Sequence, residues 1–363
     1  MPPATQTQLA KHLGISRSTV AAALNPNSSI QLSEATRQLV LQAAAELNYR
    51  PNQPARLMRG MKSGLIGIFH FGGLSQVAAE RAWHASRAFE SAGYRILPYD
   101  LSWSPDGAGT ACETMLDAGV EGVLVAGLND PGSIAELKAI QDRGIPMVTL
   151  SGNELKGVPH IRGDANGAIR QMTEHLLRLG KRRLLLLTHH SAKIAPGTYV
   201  WASAERLKGF KSALRSAGAP MVDSFTRKAG VQGRAITSDM PLEVFDPYQT
   251  CRKIMETVLE EACLPDAVIC GNDDWAIGAM SAIHERGLRI PGDIAVTGYD
   301  NTSQGQYLAV PLTTVAQPSQ AMAERSVEML LAMIRQKRKP KFPPLTLFPC
   351  ELVVRQSCGA AGA

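Results

Sequence analysis

Residues 5–25, TQTQLAKHLGISRSTVAAALN, carry two short apolar-periodic runs separated by one glycine. Leu9, Ala10 and Leu13 recur at helical spacing, Gly14 breaks the pattern, and Ser16 caps a second run in which Val20, Ala23 and Leu24 share a face. Two short helices joined by a tight turn are expected. Such a pair buries little alone, so the run 33–47, with Leu39, Val40, Ala43, Ala44 and Leu47 at helical spacing, is expected as a third helix closing a small core. The unit 1–49 reads as a helix-turn-helix headpiece. An ordinary three-helix cap is the alternative for the same residues.

Charge favours the first reading. Residues 1–62 hold seven cations (Lys11, Arg17, Arg37, Arg50, Arg56, Arg59 and Lys62) against two anions (Glu34 and Glu46), a net +5 out of +6 for the whole chain. Positive charge gathered on one small module is the footprint of a phosphate-backbone binder. Side chains at the start of a recognition helix reach base edges, which points to Arg17 and Ser18, with Ser16 and Thr19 better placed for phosphates. The Arg17 guanidinium suits either a bidentate contact to guanine O6 and N7 or a phosphate contact.

Several motifs in order carry a resemblance over nearly the whole chain. They are T-x-x-x-L-A-x-x-x-G-I-S-x-x-T-V-x-x-x-L-N, then SEATR, then ELNYRPN-x-x-AR, GLIGIF, DANGAIRQMTEHLLRLGKRRLLLL, AERLKGF, AVICGNDDWAIGAMSAIHERGLRIPGDIAVTGYDN and ELVVRQS. The chain resembles the lactose-repressor and galactose-repressor (LacI/GalR) family of bacterial transcription regulators. The resemblance implies a sequence-specific DNA-binding regulator, with repression the expected sense, whose operator affinity a small molecule controls. It implies DNA contacts from Thr5, Ser16, Arg17, Ser18, Thr19, Asn25, Ser29, Tyr49, Asn52, Ala55, Arg56, Met58 and Arg59. Ala21 and Ala22 stand where the family usually carries Ser-Arg, so read-out is expected to rest more on Arg17, Ser18 and loop residues 27–29.

The segment RPNQPARLMR (50–59) has Pro51 and Pro54, and a short helix is expected to begin near Pro54. It is too short to stand alone. The resemblance implies a hinge helix (50–62) that pairs with its dimer mate and wedges an apolar side chain into the minor groove. Met58 occupies the family's wedge position, with Leu57 competing. A plain linker is the alternative.

From Gly64 onward short apolar runs alternate with amphipathic patterns. Strands are expected at 65–71, 95–99, 122–126 and 145–150 and helices at 76–92, 110–118 and 133–143. A second set has strands at 183–188, 267–270 and 294–299 and helices at 165–179, 204–217, 248–262 and 274–286. The fold class is α/β: an all-α headpiece plus a two-lobed, periplasmic-binding-protein-like body of doubly wound parallel sheets. The body, 63–363, is expected to divide into lobe 1 (about 63–163 and 318–343) and lobe 2 (about 164–317 and 344–363), with 319–335 and 351–355 crossing back to complete both.

Ligands of such bodies sit at the carboxyl ends of strands, between the lobes. On that rule Ser151, Asn272, Asp273 and Asp300 are candidates, with Arg206 from AERLKGF. They offer carboxylates, an amide and a guanidinium fork, a set suited to sugar hydroxyls or to a nucleobase edge. The resemblance implies Arg206 and Asp300 as the commonest effector contacts. A helix cap is the alternative for Asp273, and inter-lobe pairing for Arg206. Ser151 and Gly152 replace a carboxylate and an aromatic that some members carry. The irregular segment 225–246 shows few strand signals and is expected as a loop over the cleft, with Phe245 or Trp275 supplying an aromatic face, or as a plain surface insertion. The expected effector is a sugar or sugar derivative first, a nucleobase or nucleoside second.

Six cysteines show no C-x-x-C pair, so neither a disulfide framework nor zinc is expected, and no cofactor. The N-terminus lacks a secretory pattern and no apolar run approaches membrane-spanning length, so a cytoplasmic protein without membrane attachment is expected. Asp273 with Asp274, or His189 with His190, could suggest catalysis or a metal. No G-x-S-x-G, H-E-x-x-H or G-x-x-x-x-G-K-[ST] motif accompanies them, and no enzyme is expected. A sugar sensor with a degenerate headpiece is the rival class. Expected partners are double-stranded operator DNA, the effector and a second copy of the chain, as a homodimer or a tetramer.

Overall fold

The computed structural model describes residues 4–24, 28, 30–49, 62–70, 76–100, 109–128, 131–189, 201–227, 230–238, 246–336 and 340–360. Internal contacts divide the chain into Met1–Ser63 and Gly64–Ala363. Most of the expected hinge, including Asn52, Ala55, Arg56, Leu57, Met58 and Arg59, lies outside the described residues, as do Asn25 and Ser29.

The first unit contains α1 (Gln6–Leu13), α2 (Arg17–Ala23) and α3 (Glu34–Glu46). Thr5 and Gln8 form a reciprocal capping box, with the Gln8 N–H donating to the Thr5 hydroxyl at 3.3 Å and the Thr5 N–H to Gln8 Oε1 at 2.7 Å. Gly14 ends α1 in the left-handed region at φ 64°, which is what lets the chain reverse within one residue of the next cap. Leu9, Val20 and Val40 are fully buried with Ala23 and Ala43 around them. Leu39, expected in this core, is instead half exposed at 50%. The two shorter helices cover only one narrow stripe of α3, and Val40, Ala43, Ala44 and Leu47 fill it.

The second unit continues with β1 (Leu65–His70), α4 (Gln76–Ser91), β2 (Arg95–Asp100), α5 (Gly109–Asp117), β3 (Gly122–Leu128), α6 (Pro131–Asp142), β4 (Met147–Gly152) and β5 (His160–Gly163). Next come α7 (Ala165–Arg178), β6 (Arg183–His189), α8 (Trp201–Ser216), β7 (Gln232–Ser238), α9 (Pro247–Leu259), β8 (Ala267–Cys270), α10 (Asp273–Glu285) and β9 (Ala295–Thr297). The last elements are β10 (Thr314–Ala316), α11 (Ser319–Arg335), β11 (Leu345–Phe348) and β12 (Glu351–Val353).

One parallel sheet runs β11-β5-β4-β3-β1-β2 and another β7-β6-β8-β9, while β10 and β12 pair antiparallel. In the first sheet Ile66 and Ile68 pack with Phe89 of α4 and Met322 and Leu330 of α11, whereas Phe69, Val123 and Val125 pack with Met115 of α5 and Leu137 of α6. The second sheet repeats the division inside one run of leucines. Leu184 and Leu186 meet α7 and α8, and Leu185 and Leu187 meet α9 and α10. A strand with apolar residues on both faces must lie between two helical layers.

The chain passes between the lobes three times: from β5 into α7, from β10 into α11, and from β11 into β12. This moves one expected boundary: residues 345–348, expected in lobe 2, form β11, which pairs with β5 in lobe 1. β5 itself was not expected. Its polar residues are buried with side-chain partners, His160 Nδ1 at the Thr149 hydroxyl at 2.8 Å and Arg162 on Glu154 at 2.7 Å. Burial, reinforced by Arg162, lowers the His160 pKa to about 3, so the ring is neutral.

The expectation of an irregular 225–246 segment is also corrected. Residues 232–238 form β7, paired with β6 along its whole length. QGRAITS escapes a hydrophobic-pattern reading because it is an edge strand, and Gly233 lets the Leu214 side chain lie directly against its backbone.

Candidate nucleic-acid interface and ligand site

Serine, arginine, serine and threonine open α2. Ser16 caps the helix by accepting from the Thr19 N–H at 3.0 Å, and its hydroxyl also bonds those of Ser18 at 2.7 Å and Thr19 at 2.8 Å. The cap fixes the direction of the helix start and leaves Arg17 and Ser18 exposed beside it. Arg37 of α3 donates to the Ala23 carbonyl at 3.4 Å, bracing the other end of α2 with a cation at its negative pole. Tyr49 packs partly buried against the same small core, directly after Asn48 at φ 48°. Thr5 is exposed but its hydroxyl is committed to the α1 cap. Ala22 is buried, at 3% exposure, so in this structure that position offers no surface for read-out.

In the second unit the candidates divide by lobe. Ser151 is the penultimate residue of β4 in the first lobe, at φ 60°. Arg206 of α8, Asn272 after β8 and Asp300 after β9 belong to the second. Asp300 and Asn301 both hold left-handed backbone, at φ 113° and 51°, a conformation that costs a non-glycine residue energy and here turns the chain at a strand end. The Asp300 N–H donates to the Val315 carbonyl at 2.8 Å, and its Oδ1 accepts from Gln317 Nε2 at 2.6 Å.

Arg206 is 8% exposed, with its guanidinium carbon 4.4 Å from the Tyr299 ring centroid. Burial pushes the Asp300 carboxyl up from its ordinary range. Arg206 first, then Arg81, then the Gln317 bond pull it back.

Asp273 and Trp275 are corrected. Asp273 is fully buried and accepts from the Thr302 N–H at 2.7 Å, the Thr302 hydroxyl at 3.1 Å and the Thr314 hydroxyl at 2.6 Å. Its oxygens are spent tying α10 to the turn after β9 and to the start of β10, so it is a brace rather than a ligand contact. Gly298 is required there, since a Cβ would collide with the Asp273 carboxylate. Burial outweighs these bonds and raises the Asp273 pKa to about 7. The α10 cap is Asn272, whose Oδ1 accepts from the Trp275 N–H at 2.8 Å. Trp275 is fully buried among Leu187, Cys270 and Ala279 and offers no aromatic face. Phe245 lies outside the described residues.

Three residues of this site were not anticipated: Arg81, Gln317 and Tyr299. Arg81 had a signal in the sequence. Val77, Ala78, Ala85 and Phe89 are the other buried residues of α4, and a cation in the middle of such a stripe is unusual. Among the described residues no helix is long and apolar enough to cross a membrane.

Residues 7–52 match the family model of bacterial regulatory proteins, lacI family, and residues 173–358 match that of the periplasmic binding protein-like domain. The HTH-type transcriptional repressor PurR of Yersinia pestis (strain Pestoides F) is 30% identical over 338 residues, 93% of this chain and 92% of that protein. Its namesake in Photorhabdus laumondii is 29% identical over the same shares. A crystal structure of the lac repressor dimer bound to operator and the anti-inducer ONPF superposes with a TM-score of 0.79 at 27% identity, over 99% of this chain and 100% of that one. Two capped helices with an exposed arginine, two doubly wound lobes and matches at both ends of the sequence agree, and the chain belongs to the LacI family of bacterial regulatory proteins.

Proposed function

We propose that this chain, a DNA-binding transcriptional repressor of the LacI family and not an enzyme, binds its operator as a homodimer under the control of a small polar effector. The effector is held by Arg206 and Asp300, with Asn272 and Ser151 as further contacts. One observation carries the reading: a buried arginine laid over the Tyr299 ring next to a carboxylate on a strained strand-end turn. Together they present a fork of donors and a strong acceptor. A sugar or sugar derivative fits this set first, because neighbouring hydroxyls both donate and accept, and a nucleobase second.

On the DNA side, Arg17 and Ser18 read base edges in the major groove, while Ser16 and Thr19 support phosphate contacts. The hinge of residues 50–62 pairs across the dimer, with Met58 as its minor-groove wedge. The similarity to a lac repressor solved as a dimer bound to operator supports DNA binding as a dimer. Residues 1–49, 50–62 and 63–363 are then the headpiece, the hinge and the effector-binding body.

The test is fluorescence anisotropy with fragments of the chain's own upstream DNA, at two salt concentrations, with and without sugars and nucleobases. Specific, salt-sensitive binding that one compound strengthens or weakens supports the reading and gives the sign of control. Ligand binding without any specific DNA complex would overturn it in favour of a sensor with a degenerate headpiece.

A further inference from the structure

Arg81 lies on the buried stripe of α4 in the first lobe and is 7% exposed. Its Nε and one terminal nitrogen are shielded from solvent and have no hydrogen-bond acceptor, and the same holds for Nε of Arg206, which reaches in from α8 of the second lobe at 8% exposure. Asp300 is the anion that attracts Arg81 most strongly, and Arg206 and Arg81 are the two cations that pull on Asp300. Neither arginine closes an ion pair with it, and its Oδ1 is held by Gln317 at 2.6 Å.

Gln76, on the same helix as Arg81, donates to the Ser303 hydroxyl at 3.1 Å, three residues beyond Asp300, so α4 meets the turn that carries this carboxylate and both buried guanidiniums belong to its surroundings. A guanidinium does not shed its proton, so it cannot escape burial by becoming neutral. Idle N–H groups and an uncompensated cation are both costly. What sets Arg81 and Arg206 apart is the lack of a carboxylate partner at ion-pair distance: Arg234, by contrast, meets both oxygens of Glu261 at 2.7 Å and Arg162 meets Glu154 at 2.7 Å.

We propose that Arg81 and Arg206, approaching from opposite lobes, clamp an anionic group on the effector, a phosphate or a carboxylate, while Asp300 accepts from its hydroxyls. The inference rests on the reading that the effector lies at Arg206 and Asp300, and it narrows that effector to an acidic polyol such as a sugar phosphate or a sugar acid. A planar guanidinium pairs bidentately with either anion. A neutral sugar would leave Arg81 idle. An anion gripped from both lobes would also hold them together, which gives binding a route to a change of conformation.

The experiment is calorimetric titration of the full chain with glucose, glucuronate, glucose 6-phosphate and inorganic phosphate, for the wild type and for Arg81→Met. Methionine keeps the aliphatic stem and removes the charge, and Arg81→Lys serves as a second variant should it fail to fold. The expected result is saturable binding of at least one anion, ten-fold or more tighter than glucose, falling to the level of glucose in Arg81→Met. The tighter of glucuronate and glucose 6-phosphate identifies the source of the anion. No saturable anion binding, or binding indifferent to both variants, overturns the clamp. Operator titrations separate the two readings. A neutral sugar that controls operator affinity equally in wild type and Arg81→Met defeats the clamp and leaves effector control intact. Anions that bind through Arg81 without altering operator affinity uphold the clamp and defeat effector control at this site.

Discussion

The Arg206 guanidinium lies 4.4 Å from the centre of the Tyr299 ring, and Tyr299 directly precedes Asp300. One aromatic side chain thus positions the donor fork beside its anionic neighbour. The stacking contributes about 0.5–2 kcal/mol in a desolvated setting and, more usefully, fixes the plane of the guanidinium. Arg206→Lys retains the charge and loses both the plane and the fork. It is expected to weaken effector binding at least ten-fold while leaving operator affinity of the unliganded protein unchanged, as read by calorimetry and anisotropy. Equal effector affinity in the lysine variant would exclude Arg206 from the site.

Asp273 makes the fold sensitive to pH. Its pKa is raised from 3.8 to about 7, so between those values the folded chain binds more protons at this site than the unfolded chain. Stability from this group is full at low pH, declines as pH rises from about 4 to about 7, and is flat above. The span corresponds to a loss on the order of 4 kcal/mol. Asp273→Asn, which stays neutral, is expected to flatten that decline in urea melts taken across the window. A decline as steep in the variant would place the titrating group elsewhere.

Arg17 stands exposed at the first position of α2, where the Ser16 cap fixes the helix start. Arg17→Ala is expected to weaken operator binding by about 1–3 kcal/mol and to relax preference at one base pair in each half-site. Uniform weakening across all sequences, with a shallower salt dependence, would instead make Arg17 a phosphate contact.

Arg81 tests the cost of an idle buried charge. Burial lowers its pKa more than Asp300 raises it, so its surroundings disfavour the cation. Arg81→Met is expected to raise the Tm of the unliganded protein by several degrees, because a buried cation with idle donors is costly and methionine keeps the apolar stem. A large fall in Tm would show that the guanidinium is structurally satisfied.

Much of this fold was legible because burial writes itself as period. The LLLL run of β6 and the amphipathic α7 announce a sheet between helical layers, and Gly14 with Ser16 marks the turn of the headpiece. The elements that periodicity does not reveal are polar ones, held by partners outside their own strand. β5 hides behind His160 and Arg162, which bond Thr149 and Glu154, and β7 is an edge strand of mixed polarity. The ligand site shows the same division. Position at strand ends singled out Asp300 and Asn272, but that rule cannot tell a ligand contact from a brace. Asp273 and Trp275 satisfy it equally, and only the three threonine-borne bonds and the packing against Leu187 and Cys270 separate them.

Coupling between effector and operator is the core of this account, and linkage makes it measurable from either side. The decisive measurement is the dissociation constant of an effector that requires Arg206, taken with and without saturating operator DNA, beside the operator affinity with and without saturating effector. The account predicts the same factor from both directions, five-fold or more, and its loss in Arg206→Lys. An effector that binds with unit stoichiometry through Arg206 and leaves operator affinity unchanged would contradict it.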